Sequence, residues 1–404
     1  MKILFKACIE IRGGDEMKLK YPALEHPIAN REINLTEKGK PEQSLTNIAT
    51  VLANPRYAKK DGVYEGQIFF DLFSNKLMFE GTIRGEGTSA DKIRLWNDDM
   101  CLSLGLEIEM DYKLNFNSSR MRDATRLVGR LCQINALRQI IENLKWDGNE
   151  EAIANLLPSY LGAEQSPLNT WIMEHMILGI IKRIFEPGSK FDEMMILVGG
   201  QGIGKSTFVR YMALEDDWYA SLGSIQGKDS VINMMGKAVI EIEEFVALRN
   251  VRTQGEAKSF ISKSKDTIRL PYGHNSSDIL RTCVLIGTTN EYNFLHDHTG
   301  ERRYLPIECH GDKRSKTIYP VKSELDGMTE EKYNQEVKAD FLQAFAQGYY
   351  IYKNNLHEWS VPSELEDELK RQQEQFKYLD PNEEALRYFL NITKENSDMP
   401  YRTC

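Results

Sequence analysis

Residues 199–207 of this 404-residue chain read Gly199-Gly200-Gln201-Gly202-Ile203-Gly204-Lys205-Ser206-Thr207, which satisfies G-x-x-x-x-G-K-[ST]. Glycines let the backbone curl until successive N–H groups face one anion, and a following helix N-terminus adds partial positive charge. In that pattern Lys205 meets the β- and γ-phosphates of a nucleotide, and the Ser206 hydroxyl meets Mg²⁺. ATP and Mg²⁺ are therefore the expected cofactors. Gly200, Gln201, Gly202, Ile203, Gly204, Lys205, Ser206 and Thr207 form the expected binding loop.

A phosphate cradle does not separate a hydrolase from a kinase or a switch, so the carboxylates matter next. Ala238-Val239-Ile240-Glu241-Ile242-Glu243-Glu244 is an apolar run ending in acids, with Glu243 lying 38 positions after Lys205. Nucleotide hydrolysis needs one carboxylate near the metal and one to take a proton from the attacking water. Strand periodicity puts Glu241 and Glu243 on one face and Glu244 on the other. This favours Glu243 on the metal side with Ser206, and Glu244 as base, with Glu241 as the competitor. Cys283-Val284-Leu285-Ile286-Gly287-Thr288-Thr289-Asn290 is a second apolar run, and the Asn290 amide at its tip can sense a γ-phosphate. Arg302 and Arg303 follow Gly300-Glu301 and match the demand for a transition-state cation, supplied in cis or by a neighbouring subunit.

These groups need a sheet to hold them. Met194–Val198 reads as a buried strand before the glycines, and Thr207–Leu214 as the helix after them. Ala238–Ile242 and Cys283–Gly287 are two further buried strands. Apolar strands alternating with helices indicate a parallel sheet covered on both faces. Ahead of them, Asn169–Ile184 is a strongly apolar helix stopped by Pro187-Gly188, and Thr125–Leu144 reads as one long helix. Gln67–Asp71 and Lys76–Phe79 read as short strands, and Leu45, Ile48, Val51 and Leu52 recur at helical spacing. Lys18–Lys40, with Pro22 and Pro27, reads as a loop or loosely attached arm. Glu364–Glu384, with eight acids against three bases, reads as a solvated helix. The expected domains are a polar arm (1–43), a mixed α/β domain (44–150), a P-loop domain (151–310) and a mostly helical C-terminal subdomain (311–404).

Composition sets outer limits. Lys+Arg number 51 and Asp+Glu 60, for a formal net charge of −9, which argues against a protein that coats nucleic acid with its whole surface. Arg249–Arg269 is the exception: six bases against Glu256 and Asp266 give +4, followed by Pro271-Tyr272-Gly273-His274. A basic loop between two sheet strands suits sequence-independent, salt-sensitive contact with a phosphate backbone. Lys258, Lys263, Lys265, Arg269, Tyr272 and His274 are the expected DNA contacts. The six cysteines are scattered without a C-x-x-C pair, which fits a reducing cytosol. No run approaches the ~18 apolar residues that a membrane helix requires.

Read together, the sequence resembles the virulence-associated protein E family of phage- and pathogenicity-island-encoded P-loop ATPases, which is similar to superfamily 3 helicases of the AAA+ class. The resemblance rests on Leu144-Lys145-Trp146-Asp147-Gly148, Leu161-Gly162-Ala163, Pro187-Gly188-Ser189-Lys190-Phe191-Asp192 and the Gln201–Thr207 loop. It continues through Arg269-Leu270-Pro271-Tyr272-Gly273 and Gly287-Thr288-Thr289-Asn290 to Asp297, Thr299-Gly300, Arg302 and Arg303. It implies an AAA+-like core with Glu243 and Glu244 as the acidic strand-end motif, Asn290 as sensor, and Arg302 or Arg303 as a finger acting in trans. Relatives commonly carry a small residue where Glu243 stands, which keeps Glu241 in contention. The expected activity is that of an ATP- and Mg²⁺-dependent oligomeric ATPase engaging DNA, a replicative helicase of a mobile element in the host cytoplasm. Its expected partners are single-stranded DNA in a central channel, further copies in a hexameric ring, and replication proteins. The alternative is a nucleotide-switched binding protein with slow hydrolysis and no unwinding.

Overall fold

Ser44 opens helix α1 (Leu45–Ala53) by accepting a hydrogen bond from the Asn47 amide at 3.2 Å. The structure, a computed structural model, describes residues 19–23, 25–54, 57, 64–83, 93–115, 117–243, 256, 258–269, 276–295, 301–320 and 328–378. The chain divides into two compact units, residues 1–148 with 235–237 and residues 149–234 with 238–404. In the first, β1 (Tyr64–Asp71) and β2 (Lys76–Ile83) pair antiparallel, and β3 (Ile93–Leu95) lies beyond β2. Helices α2 (Asp98–Tyr112) and α3 (Ser118–Leu131) follow. Ile48, Leu52, Ile68, Phe79, Leu104, Ile108, Met121 and Val128 share one buried core.

One expectation fails in this unit, and another is narrowed to its loop alternative. Thr125–Leu144 is not one helix. After α3 the chain extends as β4 (Gln133–Ile134), parallel to Phe70–Asp71 of β1, and only then forms α4 (Ala136–Asn143). Completing the sheet outweighs helical continuation here, and Asn135 restarts the helix by accepting from the Arg138 amide at 2.9 Å. The described part of the N-terminal arm is also not loose. Pro27–Asn30 form a 3₁₀ turn that buries Ile28, and the buried Asn47 side chain ties down Asn34 and Glu42. Satisfying that amide fixes the arm's path.

The second unit begins with α5 (Leu156–Leu161) and α6 (Pro167–Phe185). Ser166 and Pro167 start α6 in the usual way, and its apolar circumference is mostly buried. Next come β5 (Met194–Val198), α7 (Lys205–Met212), β6 (Tyr219–Leu222), α8 (Lys228–Met234) and β7 (Val239–Ile242). A hairpin of β8 (Lys265–Arg269) and β9 (Ser276–Leu280) precedes β10 (Val284–Thr289) and β11 (Tyr304–Glu308). The order β11-β5-β10-β7-β6 makes a five-stranded, wholly parallel sheet. The fold is thus mixed α/β with a parallel sheet and flanking helices. All five residues of β5 and all six of β10 are buried, which explains the apolar runs Met194–Val198 and Cys283–Gly287.

Helices α9 (Glu330–Lys353) and α10 (Glu366–Gln375) belong to this same unit. Phe341 of α9 is fully buried and stacks near Tyr160 of α5, Phe208 and Tyr211 of α7 at 5.2–5.8 Å between ring centres. The acidic tail is not simply solvated. Gln372 and Gln373 donate to the Pro306 and Tyr304 carbonyls at 2.6 and 2.8 Å, and Phe376 is buried. The edge strand β11 would otherwise leave those carbonyls unpaired, so α10 closes the sheet edge. Residues 379–384 of that tail lie outside the described residues. Among the described residues no helix is long and apolar enough to cross a membrane. Phe341→Ala removes the hub between α9, α5 and α7, and should destabilise the second unit by about 3–5 kcal/mol in urea titration.

Candidate functional site

Parallel strands point their carboxyl ends the same way, and an open sheet of this kind presents its crevice outside those ends. β10 lies between β5 and β7, with Thr289 opposite Val198 and Gly287 opposite Ile242. The glycine-rich loop after β5, the acids at the end of β7 and the polar tip of β10 therefore arrive together. The loop's backbone needs its glycines: Gly202 and Gly204 have φ of +82° and +103°. Gly204 is also sterically required, since a Cβ there would stand 2.3 Å from Ile318 Cγ2.

Lys205, the first residue of α7, is buried and directs its ammonium back into the loop. It donates to the carbonyls of Gly199 at 2.6 Å and Gly200 at 2.8 Å, and to Asn290 Oδ1 at 2.9 Å. Burial pulls this ammonium below its ordinary pKa, while the Glu241 carboxylate acts in the opposite direction. Asn290, chosen from sequence as a γ-phosphate sensor, is thus hydrogen-bonded to Lys205.

Ser206 donates from its hydroxyl to Glu241 Oε1 at 2.7 Å, and Thr288 of β10 donates to the same oxygen at 2.6 Å. The Tyr219 hydroxyl of β6 donates to Oε2 of that carboxylate. Burial first, and then this bond to Glu241, raises the Tyr219 pKa, so the phenol keeps its proton. Glu241 itself is fully buried. Sequence spacing favoured Glu243 for the metal side; in the structure the carboxylate that reaches Ser206 is its competitor, Glu241. Glu243 sits exposed just past the strand and accepts from Ser221 at 2.6 Å. The physical reason is depth. Glu241 lies within β7, level with the start of α7, and Glu243 lies one pleat farther toward solvent. Glu244 lies outside the described residues.

The other expected residues form a separate group. Arg302 and Arg303 occupy a 3₁₀ turn just before β11. Arg302 is largely exposed with Asp192 at 3.9 Å, and Arg303 donates to Ser262 at 3.0 Å. Lys258 stands near Arg303, where partial burial first and that guanidinium second lower its pKa. Lys263 pairs with Asp266 at 3.2 Å and Lys265 with Asp278 at 2.6 Å. On β8, Lys265, Thr267 and Arg269 share the exposed face, while Asp266 and Ile268 face inward. Asp266 is held there by the buried Arg281 at 2.9 Å. Tyr272 and His274 lie outside the described residues.

Sequence reasoning missed the residues that support the loop from behind. Tyr319 donates to the Gly202 carbonyl, and Arg314 donates to the Ile203 carbonyl at 3.1 Å. It also missed Tyr219, Ser221 and Thr288. Tyr219 and Ser221 repeat at the same two-residue spacing as Glu241 and Glu243, but only the pairing of β6 with β7 turns that spacing into contact.

A family model described as the virulence-associated protein E-like domain matches residues 141–378, more than half of the chain. No curated protein matches the sequence. Among solved structures, the apo structure of the NrS-1 C-terminal region (305–718) aligns at 15% identity over 78% of this chain and 73% of that one, with TM-score 0.44. An A-form apo structure of the same region aligns at 14% identity over 79% and 71%, with TM-score 0.42.

The two loop glycines separate steric from conformational cost. Gly202→Ala, in open space, should cost about 1–2 kcal/mol from its left-handed backbone alone. Gly204→Ala adds the Ile318 overlap and should lower the melting temperature distinctly more.

Proposed function

The chain belongs to the virulence-associated protein E-like family, and on that premise we propose that it is an ATP- and Mg²⁺-dependent ATPase that engages DNA as a ring-forming helicase of a phage-type mobile element. The observation that carries this reading is the convergence of Lys205, Ser206, Glu241, Thr288 and Asn290 at the ends of three parallel strands. Positive φ at Gly202 and Gly204 and the N-terminus of α7 suit an anion, and Lys205 can exchange its loop carbonyls for phosphate oxygens.

The residues also suit a hard divalent cation. The Ser206 hydroxyl and the Glu241 carboxylate are oxygen donors 2.7 Å apart. Among the described residues no group of three His, Cys, Asp or Glu could hold a metal alone, so phosphate oxygens and water would complete its shell. Ser206 and Glu241 would hold Mg²⁺ there, and the ion would supply positive charge to offset the charge that develops on the phosphate. Asn290, at the β10 tip, orients the γ-phosphate. Glu243, exposed just past β7, and Glu244, the next residue in the sequence, are the candidates to take a proton from the attacking water. Arg302 and Arg303 stand apart from Lys205, which suits donation to a neighbouring subunit's nucleotide and hence a ring. Lys265 and Arg269 of the hairpin β8–β9, with Lys263 just before it, grip the DNA backbone; Tyr272 and His274 are the further contacts expected from sequence.

Lys205→Ala should abolish ATP hydrolysis; full turnover in that variant overturns the assignment. Lys263 and Lys265 each face a carboxylate, so charge removal rather than reversal is the cleaner probe. Lys263→Gln with Lys265→Gln should weaken single-stranded DNA binding and reduce its logarithmic salt slope by about 1–2. Unchanged affinity at matched salt would remove the hairpin from the DNA site. Strand displacement by the wild type distinguishes a helicase from the slow nucleotide switch.

A further inference from the structure

Glu241 is a fully buried carboxylate, and a carboxylate removed from water must receive hydrogen bonds on both oxygens or become very costly. Its donors divide unequally. Oε1 receives Ser206 at 2.7 Å and Thr288 at 2.6 Å, from the loop side and from β10. Oε2 receives the hydroxyl of Tyr219, from β6 on the opposite flank. No other hydroxyl is recorded on that oxygen among the described residues. The Tyr219 ring is itself steadied by the Arg210 guanidinium of α7, 5.2 Å from its centre.

The geometry points to Tyr219 as a positioning residue: its hydroxyl locks the Glu241 carboxylate so that Oε1 holds the Ser206 proton and turns the Ser206 lone pairs toward the metal position. This rests on the nucleotide-and-metal reading above and extends it to a residue outside the loop and the strand-end acids. The chemistry follows from the donor inventory. A serine hydroxyl has one proton and two lone pairs, so fixing where the proton goes fixes where the lone pairs point. Two donors on Oε1 fix its position but not the rotation of the carboxylate plane. A third bond, on Oε2 from the far strand, fixes the plane. The register makes this possible: β6 and β7 run parallel with Tyr219 opposite Val239 and Ser221 opposite Glu241, so the Tyr219 side chain reaches forward along the sheet face to Glu241. Tyr219 touches neither nucleotide nor metal in this arrangement. Its loss should therefore appear in metal affinity rather than in nucleotide affinity.

The experiment compares wild type, Tyr219→Phe and Tyr219→His by electron paramagnetic resonance titration of Mn²⁺ in the presence of a non-hydrolysable ATP analogue, alongside steady-state ATPase kinetics at saturating Mg²⁺. Tyr219→Phe removes one oxygen and keeps the ring; its melting temperature reports whether the fold survives. Loss of an orienting partner should weaken Mn²⁺ about 10–100-fold and lower kcat, with the KM for ATP within about twofold of wild type. Tyr219→His, whose ring nitrogen can donate toward the same oxygen, should recover part of the Mn²⁺ affinity. Wild-type Mn²⁺ affinity in Tyr219→Phe overturns this inference and leaves the ATPase reading intact. Absence of any nucleotide-dependent Mn²⁺ binding in the wild type overturns both.

Discussion

A carboxylate with no access to water can exist in a protein only where donors surround it, and that requirement at Glu241 orders the second unit. The donors come from a helix start, Ser206, and from the strands on either side, Thr288 on β10 and Tyr219 on β6. Each must arrive at one depth along the sheet. Parallel strands paired in the observed register deliver that depth, since all their carboxyl ends share one edge. Shifting β7 by one residue would turn Glu241 to the other face and leave an unpaired buried charge, so the site and the sheet register specify each other.

The lysine next door is held by the same economy of polar groups. Its ammonium donates to two loop carbonyls and to Asn290, which puts the loop lysine and the strand-tip amide in one network. Behind the loop, Arg314 and Tyr319 take up the Ile203 and Gly202 carbonyls, and Ile318 packs where only a glycine at 204 leaves room. The loop is thus held on its outer side by residues more than a hundred positions away. The basic hairpin works under a different balance. Asp278 of β9 lies outside the linear segment and pairs with Lys265, so the +4, which already counts Asp266, overstates the charge this region offers once folded. A phosphate backbone would have to compete with Asp266 and Asp278 for those ammonium groups.

Much of this was legible in the linear sequence. The apolar runs at Met194–Val198 and Cys283–Gly287 read correctly as buried strands, because residues covered on both faces leave no polar alternation. The helix over Asn169–Ile184 was equally plain from its apolar residues and from Pro187-Gly188 after it. The failures share one cause. Thr125–Leu144 has good helical spacing, yet two of its residues serve β1, and the acidic tail has the composition of a solvated helix, yet two of its residues close the edge of β11. Local pattern gives the preference of a segment; it carries no information about an unpaired strand waiting elsewhere.

The same division runs through the site. The sequence by itself determined the glycine-rich loop, Lys205 and Ser206, because the whole G-x-x-x-x-G-K-[ST] pattern lies within nine consecutive residues. It also determined that acids and an asparagine end the neighbouring strands. Only the tertiary structure decided that Glu241 rather than Glu243 meets Ser206, and that Thr288 and Tyr219 share that carboxylate. Which acid lies deep and which lies at the rim depends on how far β7 slides along β6 and β10. That offset is fixed by packing and hydrogen bonding between strands distant in sequence, and no spacing within one segment records it.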